Sequence, residues 1–368
     1  MAVAGLIFIS GVLNLALSLS SAGSLSSFLL SAAAAVSVVP LYTSLILWID
    51  RHEREPGWLL LAAFFWGAAV ATLLAGVANT VGAMLLRAAL GPDLARRLTP
   101  PFLAPLTEET AKGAAVLLIA VLWRHEFHNT LDGVVYGALA GLGFAVVENV
   151  DYFLRALRQE GLAGLAASFY ARALVGGLGH SAYTACTGAG IGYARESGTR
   201  AARLAGPLLG FACAVFLHFA WNFSATYLDP WLRRLTGGNP WLDLLVVLPL
   251  TWGVLEAPAW VTLGVIAYLS WKREVWLVRT HLADEDPSTT PDLQELLSPR
   301  RRLRRLWHAL LTGGVGSWWD LRTYYDLCID FAFAKFDVRR GERPAHDLEA
   351  YRARLQELRR RIGRWGYV

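Results

Sequence analysis

Two adjacent carboxylates and an amine, Glu108-Glu109-x-x-Lys112, stand at the mouth of a stretch, Gly113 to Trp123, that is otherwise apolar. Ionisable groups at membrane depth are costly, which marks them as functional candidates. Lys112 follows Glu108 by four residues and Glu109 by three, so in a helix the acids and the amine lie on adjoining faces of one turn. Three further patterns hold nearly all the remaining polar groups of the apolar runs: Phe144-x-x-x-Glu148-Asn149, Gly179-His180, and His218-x-x-Trp221-Asn222. At helical spacing His218 and Asn222 share a face, and the neighbours Glu148 and Asn149 can open onto one cavity.

Such a set can carry two kinds of hydrolysis. In one, Glu108, Glu109 or Glu148 deprotonates water while His218 and Asn222 donate hydrogen bonds to the oxyanion of a cleaved peptide bond. In the other, His180 and His218 with carboxylates hold Zn²⁺ or another divalent metal, which acidifies its water and leaves another Glu as base. The expected ligand set is Glu109, Glu148, His180 and His218, with Lys112 neutralising a Glu and Asn149 in support. No short signature forces either reading. His-Glu-x-x-His is missing, and the loop His125-Glu126-Phe-His128 is one residue short of it, so its histidines do not stack at i and i+4. Serine (Gly-x-Ser-Gly) and aspartyl (Gly-x-Gly-Asp) membrane-protease signatures are missing too.

The elements that must position these residues are membrane helices. The chain has 368 residues, 55% hydrophobic, with 15 Trp and a mean hydropathy of +0.40. The fold class is all-α, a polytopic membrane helix bundle of about eight spans: Ala2 to Leu19, Phe28 to Ile49, Trp58 to Leu86, Ala104 to Trp123, Asp132 to Leu154, Tyr170 to Ala194, Leu204 to Leu228 and Leu242 to Ser270. The first run lacks the positive flank of a signal peptide and is expected to be retained. With alternating direction and a rise of about 1.5 Å per residue, Glu108, Glu109, Glu148, His180 and His218 fall at one depth, towards the outer leaflet. Glu256 falls nearer mid-membrane, where packing or support is the expectation. Gly137, Gly141 and Gly143, and the glycines from Gly176 to Gly192, give the fifth and sixth spans small faces for close helix contact.

Two domains are expected, a membrane domain over 1–271 and a basic, mostly helical tail over 272–368 that starts with a Pro, Ser and Thr-rich linker near Pro287 to Pro291. The tail reads as a solvated or membrane-skimming appendage. Arginines of the short loops fall on both sides and do not settle orientation. Lys272, Arg273 and Arg279 directly after the last span, and the basic amphipathic run Arg300 to Arg305, place both termini in the cytoplasm of a plasma-membrane protein, with anionic inner-leaflet lipid as the tail's partner. The net charge of only +5 serves orientation and lipid attraction, which sets nucleic acid aside. Three cysteines, two in spans and one in the tail, leave the redox compartment undecided.

At these residues the chain resembles the PrsW-type intramembrane proteases and, more distantly, the membrane CAAX-processing proteases. The resemblance runs roughly from Leu41 to Phe223. It is carried by Asp50-Arg-His-Glu-Arg-Glu-Pro56, the Glu-Glu-x-x-Lys and Phe-x-x-x-Glu-Asn patterns, Asp132-Gly133 leading into Gly141-Leu-Gly-Phe144, and His218-x-x-Trp-Asn222. It implies cleavage of a membrane-anchored protein near the outer face, with the first pattern's Glu residues as base or ligand and the final His and Asn as ligand or oxyanion donors. The CAAX relatives have His where this chain has Glu148, so roles do not carry over there. A proton-coupled transporter could use the same acids and histidines as a relay, and a non-catalytic scaffold could bind partner helices through the Gly-rich faces. The transporter reading calls for two broken helices in matching halves, a symmetry the sequence lacks.

Overall fold

Lipid offers no hydrogen bonds to a backbone, so apolar runs of this length satisfy their own N–H and C=O groups as helices. The computed structural model describes residues 2–49, 55–124, 126–197, 199–286, 290–339, 341 and 343–363, and contains no strand among them. Residues 50–54 of the Asp50 to Pro56 motif, His125, and residues 287–289 of the expected linker lie outside the described residues.

The chain runs α1 (Ala2–Ala22), α2 (Leu25–Ser37), α3 (Val39–Ile49), α4 (Gly57–Phe65), α5 (Thr72–Leu90), α6 (Pro92–Leu98), α7 (Ala104–Leu122), α8 (Thr130–Phe169), α9 (Gly179–Glu196), α10 (Arg200–Phe223), α11 (Asp229–Leu235), α12 (Pro240–Leu242), α13 (Leu248–Leu255), α14 (Ala257–Leu282), α15 (Leu293–Leu296), α16 (Pro299–Arg339) and α17 (Asp347–Gly363). Wider π-helical turns join α4 to α5 (Trp66–Ala71), α6 to α7 (Thr99–Leu103) and α8 towards α9 (Tyr170–Val175). A capping box of Asn129 and Asp132 starts α8. Gly161, at φ 65 and ψ −151, breaks that helix near its end. The described residues form two compact units, one holding α1 to α13 and α14 as far as Ala267, the other starting at Tyr268.

The antiparallel pair α8 and α9 is the centre of the first unit. A Cβ added at Gly133, Gly137 or Gly141 would come within 2.0, 2.5 or 2.2 Å of the backbone oxygen of Gly188, Thr184 or His180. The glycine ridge of α8 therefore lets two backbones touch and fixes the height of His180 against α8. Gly141→Ala is expected to destabilise the protein by about 1–3 kcal/mol, because the added methyl meets backbone that cannot yield. Gly5→Ala, where nothing lies within 4 Å, is the control. Thermal unfolding in detergent checks both, and a wild-type midpoint for Gly141→Ala would contradict the packing.

Five helical runs are long and apolar enough to cross a membrane, or six if Pro240–Leu255 and Trp260–Leu282 count as one bent span. The expectation of about eight differs for two physical reasons. Ala104–Leu122 carries Glu108, Glu109 and Lys112, too many charges for lipid-facing helix, yet its charges are buried inside protein. The run Thr130–Glu196 counts once but folds back on itself, since Gly133 meets Gly188 and Gly141 meets His180.

The second unit has its own apolar core, built from Leu282, Leu296, Tyr325, Phe331, Leu355 and their neighbours. The charge-laced helices expected of the tail pack on one another in this unit. Its basic run is partly turned inward: Arg302 is buried, with Asp326 at 3.1 Å, and Arg305 pairs with Glu295 at 3.2 Å.

Candidate metal centre and active site

Prolines shape the approach to the first acids. In the turn Thr99–Leu103 the Ala104 N–H reaches back to Thr99 O, and Pro105 has no N–H to give. The chain then enters α7, where Glu108 is 5% exposed and Glu109 and Lys112 are 0%. Lys112 Nζ lies 2.5 Å from Glu109 Oε1 and 4.5 Å above the Phe144 ring. Glu109 Oε2 accepts from Thr184 Oγ1 at 2.9 Å. Both oxygens of this acid are thus engaged, one by an ammonium and the other by a hydroxyl.

The histidines complete the network. Lys112 can only donate, so its 3.0 Å contact with His180 Nδ1 assigns the lone pair to that nitrogen and the proton to Nε2. His180 Nε2 then donates to Glu148 Oε2 at 2.9 Å. Arg172 pairs with the same Glu148 oxygen, and its Nε donates to Asn149 Oδ1 at 2.9 Å. His218 Nδ1 lies 2.9 Å from Glu109 Oε1 and donates to it, which turns the Nε2 lone pair towards Glu108 Oε2, 3.7 Å away. That Glu108 oxygen is buried without a hydrogen-bond partner among the described residues. Its other oxygen receives only a 3.4 Å contact from Asn79 Nδ2.

The donor set fits a divalent ion. Ligand atoms of Glu108, His180 and His218 all lie within 4.8 Å of one another. Bonds of about 2.0–2.2 Å from nitrogen and oxygen would span the 3.7 Å gap between His218 Nε2 and Glu108 Oε2. Both of those atoms are otherwise uncommitted, and His180 would supply the third donor. Glu109 behind His218 and Glu148 behind His180 stand where carboxylates orient ligating imidazoles. The structure therefore gathers Glu108 with the two histidines, where the sequence suggested Glu109 and Glu148. The difference is physical, since Glu109 is taken up by Lys112 and Thr184, and Glu148 by Arg172.

Asn222, expected as an oxyanion donor, is turned away. Its Nδ2 donates to Pro100 O at 2.9 Å, at the protein surface. That carbonyl lacks the usual donors because Ala104 serves Thr99 and Pro105 has none, so the asparagine closes a gap the prolines open. Asn222→Ala is expected to cost about 1 kcal/mol of stability and only a few-fold in activity. A loss of 10²-fold or more, the range for removing an oxyanion donor, would restore the original role. Asp132 of the Asp-Gly pattern is architectural, its Oδ2 accepting from the N–H of His128 and Asn129.

Four participants carry little or no signal in the sequence. Thr184 and Tyr183 follow His180 at i+4 and i+3, the one spacing signal available. Tyr183 stacks on His218 with centroids 5.1 Å apart and bonds through its hydroxyl to buried Glu256. Arg172 lies at the start of the sixth expected span and, like Asn79, has no spacing that marks it.

The stretch that carries these residues matches a known family. The PrsW family intramembrane metalloprotease description matches residues 55–254, which include all five acids and histidines of the network. The chain is 28% identical over 183 residues to Protease PrsW of Bacillus subtilis (strain 168), covering 50% of this chain and 77% of that protein. It is 28% identical over 131 residues to Protease PrsW of Clostridioides difficile (strain 630), covering 34% of this chain and 52% of that protein. No solved structure matches. With its family match covering residues 55–254, more than half of its length, the chain belongs to the PrsW family of intramembrane metalloproteases.

Proposed function

We propose that this protein is an intramembrane endopeptidase that cleaves a membrane-anchored protein near the outer face of the plasma membrane. The observation that carries the reading is the cluster of Glu108, His180 and His218 inside the bundle, two of its ligand atoms facing each other unbonded. These three residues would hold a divalent metal, Zn²⁺ by donor type, which supplies Lewis acidity to water and to the scissile carbonyl.

The chain's own groups divide the remaining work. Glu109 holds His218 in the tautomer whose Nε2 faces Glu108, and Lys112 offsets the Glu109 charge. Glu148, with Oε2 held by Arg172 and His180, would take the proton of the attacking water on Oε1 and pass it to the leaving amine. Arg172, rather than Asn222, would be the donor to the developing oxyanion, with Asn149 fixing its orientation. Glu148→Gln is expected to lower kcat on the order of 10²–10⁴-fold with little change in metal content, measured by reporter cleavage and elemental analysis. An unchanged rate would remove Glu148 as the base.

The proposal keeps eight spans with both termini cytoplasmic, a membrane domain over 1–271 and a tail over 272–368. For the tail it keeps anionic inner-leaflet lipid, now on a specific face: Leu303, Trp307 and Leu311 are exposed at every fourth position beside exposed Arg300 and Arg304. An environment-sensitive dye at Trp307→Cys in full-length protein should blue-shift in vesicles with anionic lipid and not in purely zwitterionic ones. Equal spectra would argue against lipid contact there.

A further inference from the structure

A groove with a volume of about 730 Å³ runs between α1, α5 and α8, a size typical of ligand sites. Of the acids in the network, Glu108 and Glu148 line it, whereas Glu109 does not. Both of these carboxylates therefore open onto the groove. Its side wall is polar in an otherwise apolar setting: Asn14 and Ser18 from α1 face Thr72 and Asn79 from α5. Asn14 donates to Ala69 O at 2.7 Å and Thr72 Oγ1 at 2.8 Å, which leaves its Oδ1 as an acceptor.

A helical substrate would gain little from such a wall, because its backbone is already satisfied. An unwound segment needs it, since irregular backbone at membrane depth persists only where protein or water meets its N–H and C=O groups. Beyond Glu148, α8 carries Asp151, Arg155 and Arg158 along the same groove. Asp151 accepts from Ser18 Oγ at 3.4 Å, and two arginines against this one carboxylate give this end an excess of positive charge.

We infer that the groove between α1, α5 and α8 binds an extended segment of the membrane-anchored substrate, and that Arg155 and Arg158 select substrates with acidic residues just beyond the apolar span. The inference rests on the protease reading for its substrate class, but binding can be tested apart from catalysis. A photoreactive residue is placed at Leu17 or Val77, both lining the groove, and at Leu117, exposed on α7 away from it. The full chain in nanodiscs is offered a single-span peptide with two Asp residues just beyond one end of its apolar stretch, or a twin with two Lys there.

Capture is expected at Leu17 and Val77 and not at Leu117, with about tenfold more of the Asp peptide, equivalent to roughly 1.4 kcal/mol. Arg155→Glu/Arg158→Glu should reverse the preference; the wild-type comparison stands even if that variant fails to fold. Equal capture at Leu117, or no dependence on flank charge at Leu17 and Val77, overturns the inference. Capture without cleavage leaves the groove standing and counts against the protease reading. Cleavage without capture at Leu17 or Val77 does the reverse.

Discussion

Glu108→Gln is expected to abolish cleavage, by on the order of 10³-fold or more, while the bundle stays folded. The two halves of that statement come from the same atom. Glu108 Oε2 has no hydrogen bond to lose, and Oε1 has only the 3.4 Å contact from Asn79. Removing the charge therefore changes stability by less than about 1 kcal/mol, while depriving His218 Nε2 of the anionic partner that a metal would share with it. Reporter cleavage and thermal unfolding measured on one preparation check both halves. A wild-type rate would place the essential acid elsewhere, and a collapsed midpoint would make Glu108 a structural residue.

Lys112→Met should do the opposite, damaging the fold before the chemistry. Its ammonium is fully buried and is the cation on Glu109. Breaking a buried pair from one side costs about 3–5 kcal/mol, because an uncompensated charge stays behind. The double variant Lys112→Met with Glu109→Gln removes both charges, so it should regain most of the lost stability. Activity should not return with it, since Glu109 also holds His218. Unfolding midpoints of the two singles and the double give the coupling directly; additive losses would show that the pair is not a unit.

These two expectations differ although Glu108 and Glu109 are neighbours, and sequence alone could not separate them. Spacing made the suspects legible: an acid pair three and four residues before a lysine, and histidines in apolar runs, are costly enough to need a common pocket. Helix direction and rise put them at one depth. Roles depend on which partner occupies each oxygen, and those partners come from elsewhere in the chain. Thr184 quiets Glu109 from α9, and Arg172 takes Glu148 from a π-helical turn that no periodicity announces.

Asn222 shows the converse. Its i+4 spacing to His218 was a fair signal for a shared face, but a carbonyl left bare by prolines more than a hundred residues away claims the amide. The tail illustrates a further limit. Arginine-laced amphipathic helices read alike whether their apolar stripe meets lipid, solvent or another helix. In the second unit several stripes meet one another around Tyr325 and Phe331.

Metal content of the purified full-length protein is the most direct test of the central claim. About one divalent ion per chain is expected for the wild type, with chelation abolishing cleavage and Glu108→Gln and His218→Ala each losing the ion. A protein that cleaves its substrate with no bound metal, and keeps cleaving in chelator, would contradict the assignment of Glu108, His180 and His218 as the metal centre.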